Sequence, residues 1–112
     1  MIQQTTFTLR PRTRGFHLVT DEVLNHLPAL PKTGLLNLFI QHTSAGLSIN
    51  ENCDPDVRSD MEKIFNNLVR ERESWYDHTL EGWDDMPAHA KSTLVGASLS
   101  IPITDRRLNL GG

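Results

Sequence analysis

The sequence predicts one domain of the α+β class. Apolar residues recur at helical spacing in residues 55–70, whereas residues 99–103 alternate apolar and polar side chains as a strand does. A chain of 112 residues has the length of a single domain. We therefore expect short helices combined with a sheet, in one domain over residues 1–112.

The first half of the chain is predicted to alternate extended segments with one short helix. Residues 2–10 and 16–19 have strand-like patterns, and Thr20 is the expected N-cap of the helix that follows. Residues 35–40 are almost entirely apolar and predict a buried central strand. Residues 42–53 predict a second extended segment, which carries polar functional groups.

The second half begins with the strongest helix signal. Asp54 is the expected N-cap, proline occupies the first helical position, and an apolar stripe continues through residue 68. Residues 70–86 lack periodicity and predict a long acidic loop. A short helix is expected from Asp85 to about Val95, and a strand over residues 99–103 precedes a turn.

The composition excludes several classes of protein. Hydrophobic residues make up 38% of the chain and charged residues 22%, which is typical of a globular protein and not of a disordered one. No apolar run approaches the roughly 20 residues of a membrane span, and residues 1–20 lack the pattern of a signal peptide. The single cysteine, Cys53, cannot form an internal disulfide, so we expect a cytoplasmic protein with a buried thiol.

Charge is unevenly distributed along the chain. The net charge of -3 divides into +2 for residues 1–50, -7 for residues 51–85 and +2 for residues 86–112. An acidic central segment argues against a nucleic-acid groove. Its carboxylates form either a solvated face or a set of oxygen atoms gathered around a cation.

Three of the five histidines stand at predicted element boundaries, where functional sites are commonly built. His42 follows a predicted strand, His78 lies in the acidic loop, and His89 lies near the start of the last helix. Imidazole is a common donor to transition metals, so three converging histidines would form a metal site with an open position. The alternative is three unrelated histidines, because no local metal motif links them.

Two further groups of polar residues are candidates for binding. Asn50 and Glu51 supply oxygen atoms that could hold Mg²⁺ or hydrogen-bond a histidine, although they also fit a simple turn before a helix. Thr43 and Ser44 offer hydroxyl and backbone N–H groups to a phosphate, and Lys91 could complete such a pocket.

Several blocks of the sequence resemble one known family. They are residues 14–22 (RGFHLVTDE), 41–55 (QHTSAGLSINENCDP) and 81–92 (EGWDDMPAHAKS), and residues 94–103 resemble the strand that follows them in that family. In this order they resemble the YjbQ-like family of small bacterial and archaeal proteins. The similarity extends over nearly the whole chain.

The resemblance implies a β-sandwich-like α+β fold with antiparallel or mixed sheets, two or three short helices, and assembly as a homotrimer. It also implies a histidine cluster, on His42, His78 and His89, that binds a metal or another ligand. The family continues after its Leu-Gly with a Trp-Gln segment and further strands. We therefore expect that C-terminal strands are missing from this chain.

Members of the family are described as secondary thiamine-phosphate synthases, which join a pyrimidine-methyl diphosphate to a thiazole phosphate. On this hypothesis the three histidines hold a divalent metal ion, zinc or magnesium, and Glu51 and Asp85 are the catalytic or orienting residues. Phosphate binding is assigned to four polar residues: Thr43, Ser44, Asn50 and Lys91. The alternatives are a metal-dependent hydrolase of a small phosphorylated or acylated metabolite and a non-catalytic trimeric binding protein.

Overall fold

The computed structural model describes residues 2–111, which fold into three helices and a three-stranded antiparallel sheet. In chain order the elements are α1 (Thr20–His26), β1 (Thr33–Phe39), α2 (Pro55–Leu68), α3 (Asp85–Val95), β2 (Ser98–Thr104) and β3 (Arg107–Leu108). The predicted α+β class is confirmed. The second sheet of a sandwich is not formed by residues 2–111.

The sheet has the strand order β1-β2-β3, so β2 is the central strand. Leu36 of β1 lies opposite Ile101 of β2, and Ile103 lies opposite Leu108 of β3. The prediction that residues 35–40 form a buried central strand is wrong. Leu35 and Phe39 are each 65% exposed, because only the alternate side chains of β1 pack against the rest of the described chain.

The helix boundaries follow from local chemistry. The Asp54 side chain accepts a hydrogen bond from the backbone N–H of Asp56 (2.8 Å), which confirms the predicted N-cap of α2. The N-cap of α1 is Val19, not Thr20, which is already the first helical residue. Helix α3 ends at Gly96, whose φ of +103° is a conformation that other residues adopt only with strain.

The predicted extended segments 2–10, 16–19 and 42–53 are not strands in the described chain. Hydrogen bonds and ion pairs to other elements hold this part of the chain instead. The backbone N–H groups of Ile40 and Leu47 donate to the carbonyls of Ala97 and Gly96, at 2.9 and 3.0 Å. These bonds place the polar segment 42–47 against the end of α3.

The buried apolar side chains of residues 2–111 are few. They are Val23, Ile101 and Ile103, each 4–6% exposed, and Pro87, which is less than 2% exposed. Cys53 is exposed, contrary to the expected buried thiol. The radius of gyration is 16.3 Å, larger than the roughly 13 Å of a compact domain of this length. None of the described helices is long and apolar enough to cross a membrane.

The N-terminal segment is fastened to α1 through the carboxylate of Glu22. This carboxylate accepts hydrogen bonds from the backbone N–H of Arg10 (2.6 Å) and from the Arg12 guanidinium (2.7 Å). The Arg10 N–H, followed by the Arg12 guanidinium, lowers the pKa of Glu22 to about 2. Because the ionised form is the one that is stabilised, Glu22 adds to stability at neutral pH.

We expect Glu22→Gln to lower the melting temperature at pH 7 and to lose most of this effect in acid. The pKa of Glu22 falls from 4.5 to about 2 on folding, so its contribution is fully present above pH 4.5 and is lost as the pH falls toward 2. Thermal unfolding of both proteins between pH 2 and pH 7 measures the difference. Asp21→Asn removes a carboxylate from the same turn and is the control; a difference that is constant across this pH range would contradict the assignment.

Candidate metal centre

Helix α3 brings a carboxylate and an imidazole together on one face. Asp85 and His89 are four residues apart, the spacing at which helical side chains are neighbours. Asp84 occupies the N-cap position, so the Asp85 side chain lies in the first turn and is available for side-chain partners. His78 comes from the loop between α2 and α3 and reaches the same carboxylate.

The three residues form a compact cluster, here named the His–Asp–His cluster (His78, Asp85 and His89). The Oδ2 atom of Asp85 lies 2.6 Å from Nε2 of His78 and 3.1 Å from Nε2 of His89. The imidazole rings are 5.3 Å apart and inclined by 72°. One nitrogen or oxygen atom from each residue can be chosen so that all three lie within 4.8 Å of one another.

The orientation of His89 is set from the segment before α2. Its Nδ1 lies 2.8 Å from the carbonyl oxygen of Thr43 and must donate, since a carbonyl only accepts. Ser92 donates from its hydroxyl to the same carbonyl at 2.8 Å. The ring is therefore held with Nε2 toward Asp85, the arrangement in which metal-binding histidines are commonly fixed.

Charge in the cluster favours an ionised carboxylate and a protonated imidazole. The hydrogen bond with His78 lowers the pKa of Asp85, and the charge of His89 lowers it further. The hydrogen bond to the Thr43 carbonyl, helped by the Asp85 carboxylate, raises the pKa of His89. A metal ion must displace the proton on Nε2 of His89, so metal affinity in this cluster should weaken as the pH falls.

The donor set fits a divalent transition metal. Two imidazole nitrogens with one carboxylate oxygen form a two-histidine, one-carboxylate set, whereas Mg²⁺ prefers oxygen atoms alone. The side chains of His78, Asp85 and His89 are 44%, 22% and 30% exposed, so a cation can reach them from solvent. Three protein ligands of this kind would leave coordination positions for water or substrate.

Known proteins are similar to this chain in sequence and in fold. The family described as UPF0047 protein YjbQ-like matches residues 5–112. The chain belongs to the YjbQ-like family. It is 51% identical over 113 residues to the UPF0047 protein YjbQ of Escherichia coli O157:H7, covering 99% of this chain and 81% of that protein. It is 52% identical over 80 residues to the UPF0047 protein sll1880 of Synechocystis, covering 71% and 54% of the two chains.

Solved structures of other proteins have a similar fold. The conserved hypothetical protein TT1486 from Thermus thermophilus superposes with a TM-score of 0.76 at 36% identity, covering 87% of this chain and 73% of that one. A YjbQ/UPF0047 protein from Clostridium acetobutylicum gives a TM-score of 0.67 at 34% identity, with 84% and 65% of the two chains covered.

In this YjbQ-like chain, His42 lies outside the His–Asp–His cluster. Its Nδ1 accepts a hydrogen bond from the backbone N–H of Ser44 at 3.0 Å, and the Ser44 hydroxyl lies 3.1 Å from the same atom. Because a backbone N–H can only donate, the neutral ring carries its proton on Nε2. The structure thus brings together two of the three predicted histidines and the predicted orienting residue Asp85, which shares a helix face with His89.

Three of the predicted phosphate-binding and acidic residues, Asn50, Glu51 and Lys91, lie apart from the cluster. Asn50 and Glu51 are exposed, and the Asn50 side chain accepts from the Glu51 N–H (2.8 Å) in a local turn. Lys91 donates to Asn66 of α2 at 2.5 Å, and burial followed by the charge of Arg14 lowers its pKa. Neither Asn50, Glu51 nor Lys91 belongs to the His–Asp–His cluster.

Two cavities adjoin residues of the cluster or their hydrogen-bond partners. The smaller cavity, of about 300 Å³, is lined by residues that include His42, Thr43 and Ser92. Thr43 also holds His89 in position through its carbonyl, to which the Ser92 hydroxyl donates. The larger, about 730 Å³, includes His78 and lies between the end of α2 and the start of α3. Trp75 and Tyr76 form an aromatic wall of this larger cavity. The sequence predicts no function for them, although adjacent aromatic residues within an acidic loop are a usable signal.

Proposed function

We propose that this chain is a metal-dependent secondary thiamine-phosphate synthase. The His–Asp–His cluster beside a cavity of about 730 Å³ is the observation that supports the proposal, because it combines a set of metal ligands with space for a small metabolite. The synthase reaction is the one implied by membership of the YjbQ-like family. His78, Asp85 and His89 are the proposed ligands.

The proposed reaction forms one bond and breaks another. The ring nitrogen of the thiazole phosphate attacks the methylene carbon of the pyrimidine-methyl diphosphate, and the carbon–oxygen bond to the diphosphate breaks. The electron pair of the broken bond leaves with pyrophosphate, and no oxidant or reductant is needed. A bound cation would stabilise the negative charge that develops on the departing pyrophosphate. The chain's own part is to hold the ligands in place, through the Thr43 carbonyl for His89.

The donor chemistry favours Zn²⁺ or a similar transition metal at the cluster over Mg²⁺, because two of the three donors are imidazole nitrogens. Of the two metals considered from the sequence, zinc is therefore better supported by the described residues than magnesium. Magnesium can still accompany the diphosphate of the substrate, where all the ligands are oxygen atoms.

We expect Asp85→Asn to reduce synthase turnover at least about tenfold, since the variant keeps the shape of the side chain and loses the charge that binds the cation. Asp54→Asn is the matched control, because Asn caps a helix as well as Asp does. The assay follows thiamine phosphate formed by metal-loaded protein from both substrates. Equal turnover by the Asp85→Asn variant and the parent, or no product from the parent, would contradict the proposal.

A metal-dependent hydrolase is the second candidate, and the exposure of the cluster favours it. Three protein ligands open to solvent leave room for a bound water, which such hydrolases use as the nucleophile. The same assay separates the two candidates. A hydrolase releases product from a single phosphorylated or acylated substrate, whereas the synthase requires both organic substrates.

The proposal includes a cytoplasmic homotrimer. The exposed apolar residues Leu35 and Phe39 on β1 support association, since large apolar side chains are seldom left in water along a strand edge. Light scattering of the purified protein tests it. The trimer predicts three times the chain mass of 12.7 kDa, and a monomer mass would contradict it.

A further inference from the structure

The larger cavity has an aromatic wall that the metal cluster does not explain. Trp75 is 72% exposed although it is one of the largest apolar side chains of the chain, and it lines this cavity. Tyr76 packs edge-on against it, with ring centroids 4.6 Å apart and planes inclined by 75°. A tryptophan left in water beside a cavity is a surface on which a flat ligand can stack.

The aromatic wall is braced by hydrogen bonds. The Tyr76 hydroxyl donates to the carbonyl of Arg70, and the Tyr76 backbone N–H donates to the carbonyl of Glu73 at 3.1 Å. Tyr76 is therefore tied at both its side chain and its backbone, and it supports Trp75 from one side. Such a wall can bind a ring with little further loss of entropy from ordering its own side chains.

The remainder of the lining is mixed: apolar residues and two carboxylates stand beside Asn67, Arg70 and His78. Leu68 and Met86 contribute apolar surface, which suits a ring, and Glu73 and Asp77 contribute carboxylates. Ionised carboxylates only accept hydrogen bonds, so they favour a ligand that carries N–H donors. At one end the cavity reaches His78, a member of the His–Asp–His cluster.

We infer that this cavity binds a planar, amino-substituted heteroaromatic ring, stacked on Trp75 with its amino group toward Glu73 or Asp77. The inference rests on the proposed function and deepens it, since it assigns the aminopyrimidine half of the substrate to this cavity and leaves its reacting end toward His78. Trp75 is then a specificity-determining residue for the ring.

Direct binding of the ring tests this inference without requiring turnover. The probe is the phosphate-free alcohol of the pyrimidine substrate, titrated by calorimetry into the parent protein and into its Trp75→Ala and Trp75→Phe variants, with Trp83→Ala as the control. We expect affinity to fall roughly tenfold or more in Trp75→Ala, as for bases stacked on aromatic side chains, and to stay near the parent value in Trp75→Phe and Trp83→Ala. In Trp83→Phe protein the probe should change the fluorescence of Trp75, whereas inorganic pyrophosphate and cyclohexylmethanol should not.

The outcomes separate this inference from the proposed function. Trp75-dependent binding of the probe to a protein that makes no thiamine phosphate supports the cavity assignment and removes the synthase. Binding that Trp75→Ala leaves unchanged, or synthase activity whose KM for the pyrimidine substrate is the same in Trp75→Ala, overturns the assignment. Loss of the oligomer in Trp75→Ala, with no probe binding by the parent, also overturns it, because the cavity would then hold another copy of the chain.

Discussion

Alanine at His78 or at His89 is expected to weaken zinc binding on the order of 100-fold or more. Each substitution removes one of three proposed ligands, and replacing even a supporting partner of a ligand typically costs about 10–100-fold in metal affinity. Calorimetric titration of Zn²⁺ into metal-free protein measures the change. Both side chains are partly exposed, so we expect the variants to fold as the parent does.

Two histidine variants are matched controls for this experiment. His42→Ala should leave zinc affinity within about threefold of the parent, because the Nδ1 lone pair of His42 is used by the Ser44 N–H and the residue lies outside the cluster. His26→Ala removes a histidine of α1 that stacks on Phe7 and lies outside the cluster. If His42→Ala loses as much affinity as His89→Ala, then the ligand set argued from the geometry is wrong.

Alanine at Gly46 is expected to destabilise the protein by roughly 1–3 kcal/mol, the usual cost of forcing a methyl group into a packed site. A Cβ atom at this position would lie 2.8 Å from the carbonyl oxygen of Gly96 and 3.0 Å from Cβ of Val95. The first of these contacts is with backbone, so the segment 42–47 must move away from α3. The same movement would displace the Thr43 carbonyl, and zinc affinity should fall as His89 loses its support.

Chemical denaturation and zinc titration of the same Gly46→Ala protein measure both effects. Ser48→Ala is the control, because it changes an exposed residue of the same part of the chain. Unchanged stability would show that α3 and this segment are packed less closely than the structure indicates. Lower stability with unchanged zinc affinity would show that the Thr43 carbonyl does not orient His89.

The elements that could be predicted are those whose signals are local. The Asp54 cap and the apolar stripe define α2, and the alternation around Ile101 defines β2. Burial could not be predicted in the same way. The run at residues 35–40 is apolar except for Asn37, but its exposure depends on which elements cover β1, and that is set by tertiary structure.

The same contrast holds for the candidate site: residues with a local signal can be predicted from the sequence, and residues placed by tertiary contacts cannot. The positions of His78 and His89 at element boundaries mark them as candidates, and Asp85, expected together with Glu51 as an orienting residue, joins them through its four-residue spacing from His89. The position of His42 outside the cluster could not be predicted. Its ring is hydrogen-bonded to the backbone N–H of Ser44 in an irregular segment, and such a segment has no periodic sequence pattern. Thr43 orients His89 through its backbone carbonyl. Every residue has this group, so the residue type gives no signal for the interaction.

The most direct test of this account is to locate the metal. A crystal of the zinc-loaded protein, with diffraction data collected on either side of the zinc absorption edge, gives the position of the ion independently of any assignment of ligands. We predict one anomalous peak bounded by His78 Nε2, an Asp85 carboxylate oxygen and His89 Nε2. A peak bound by His42, or zinc-saturated crystals with no peak at the cluster, would contradict the central claim.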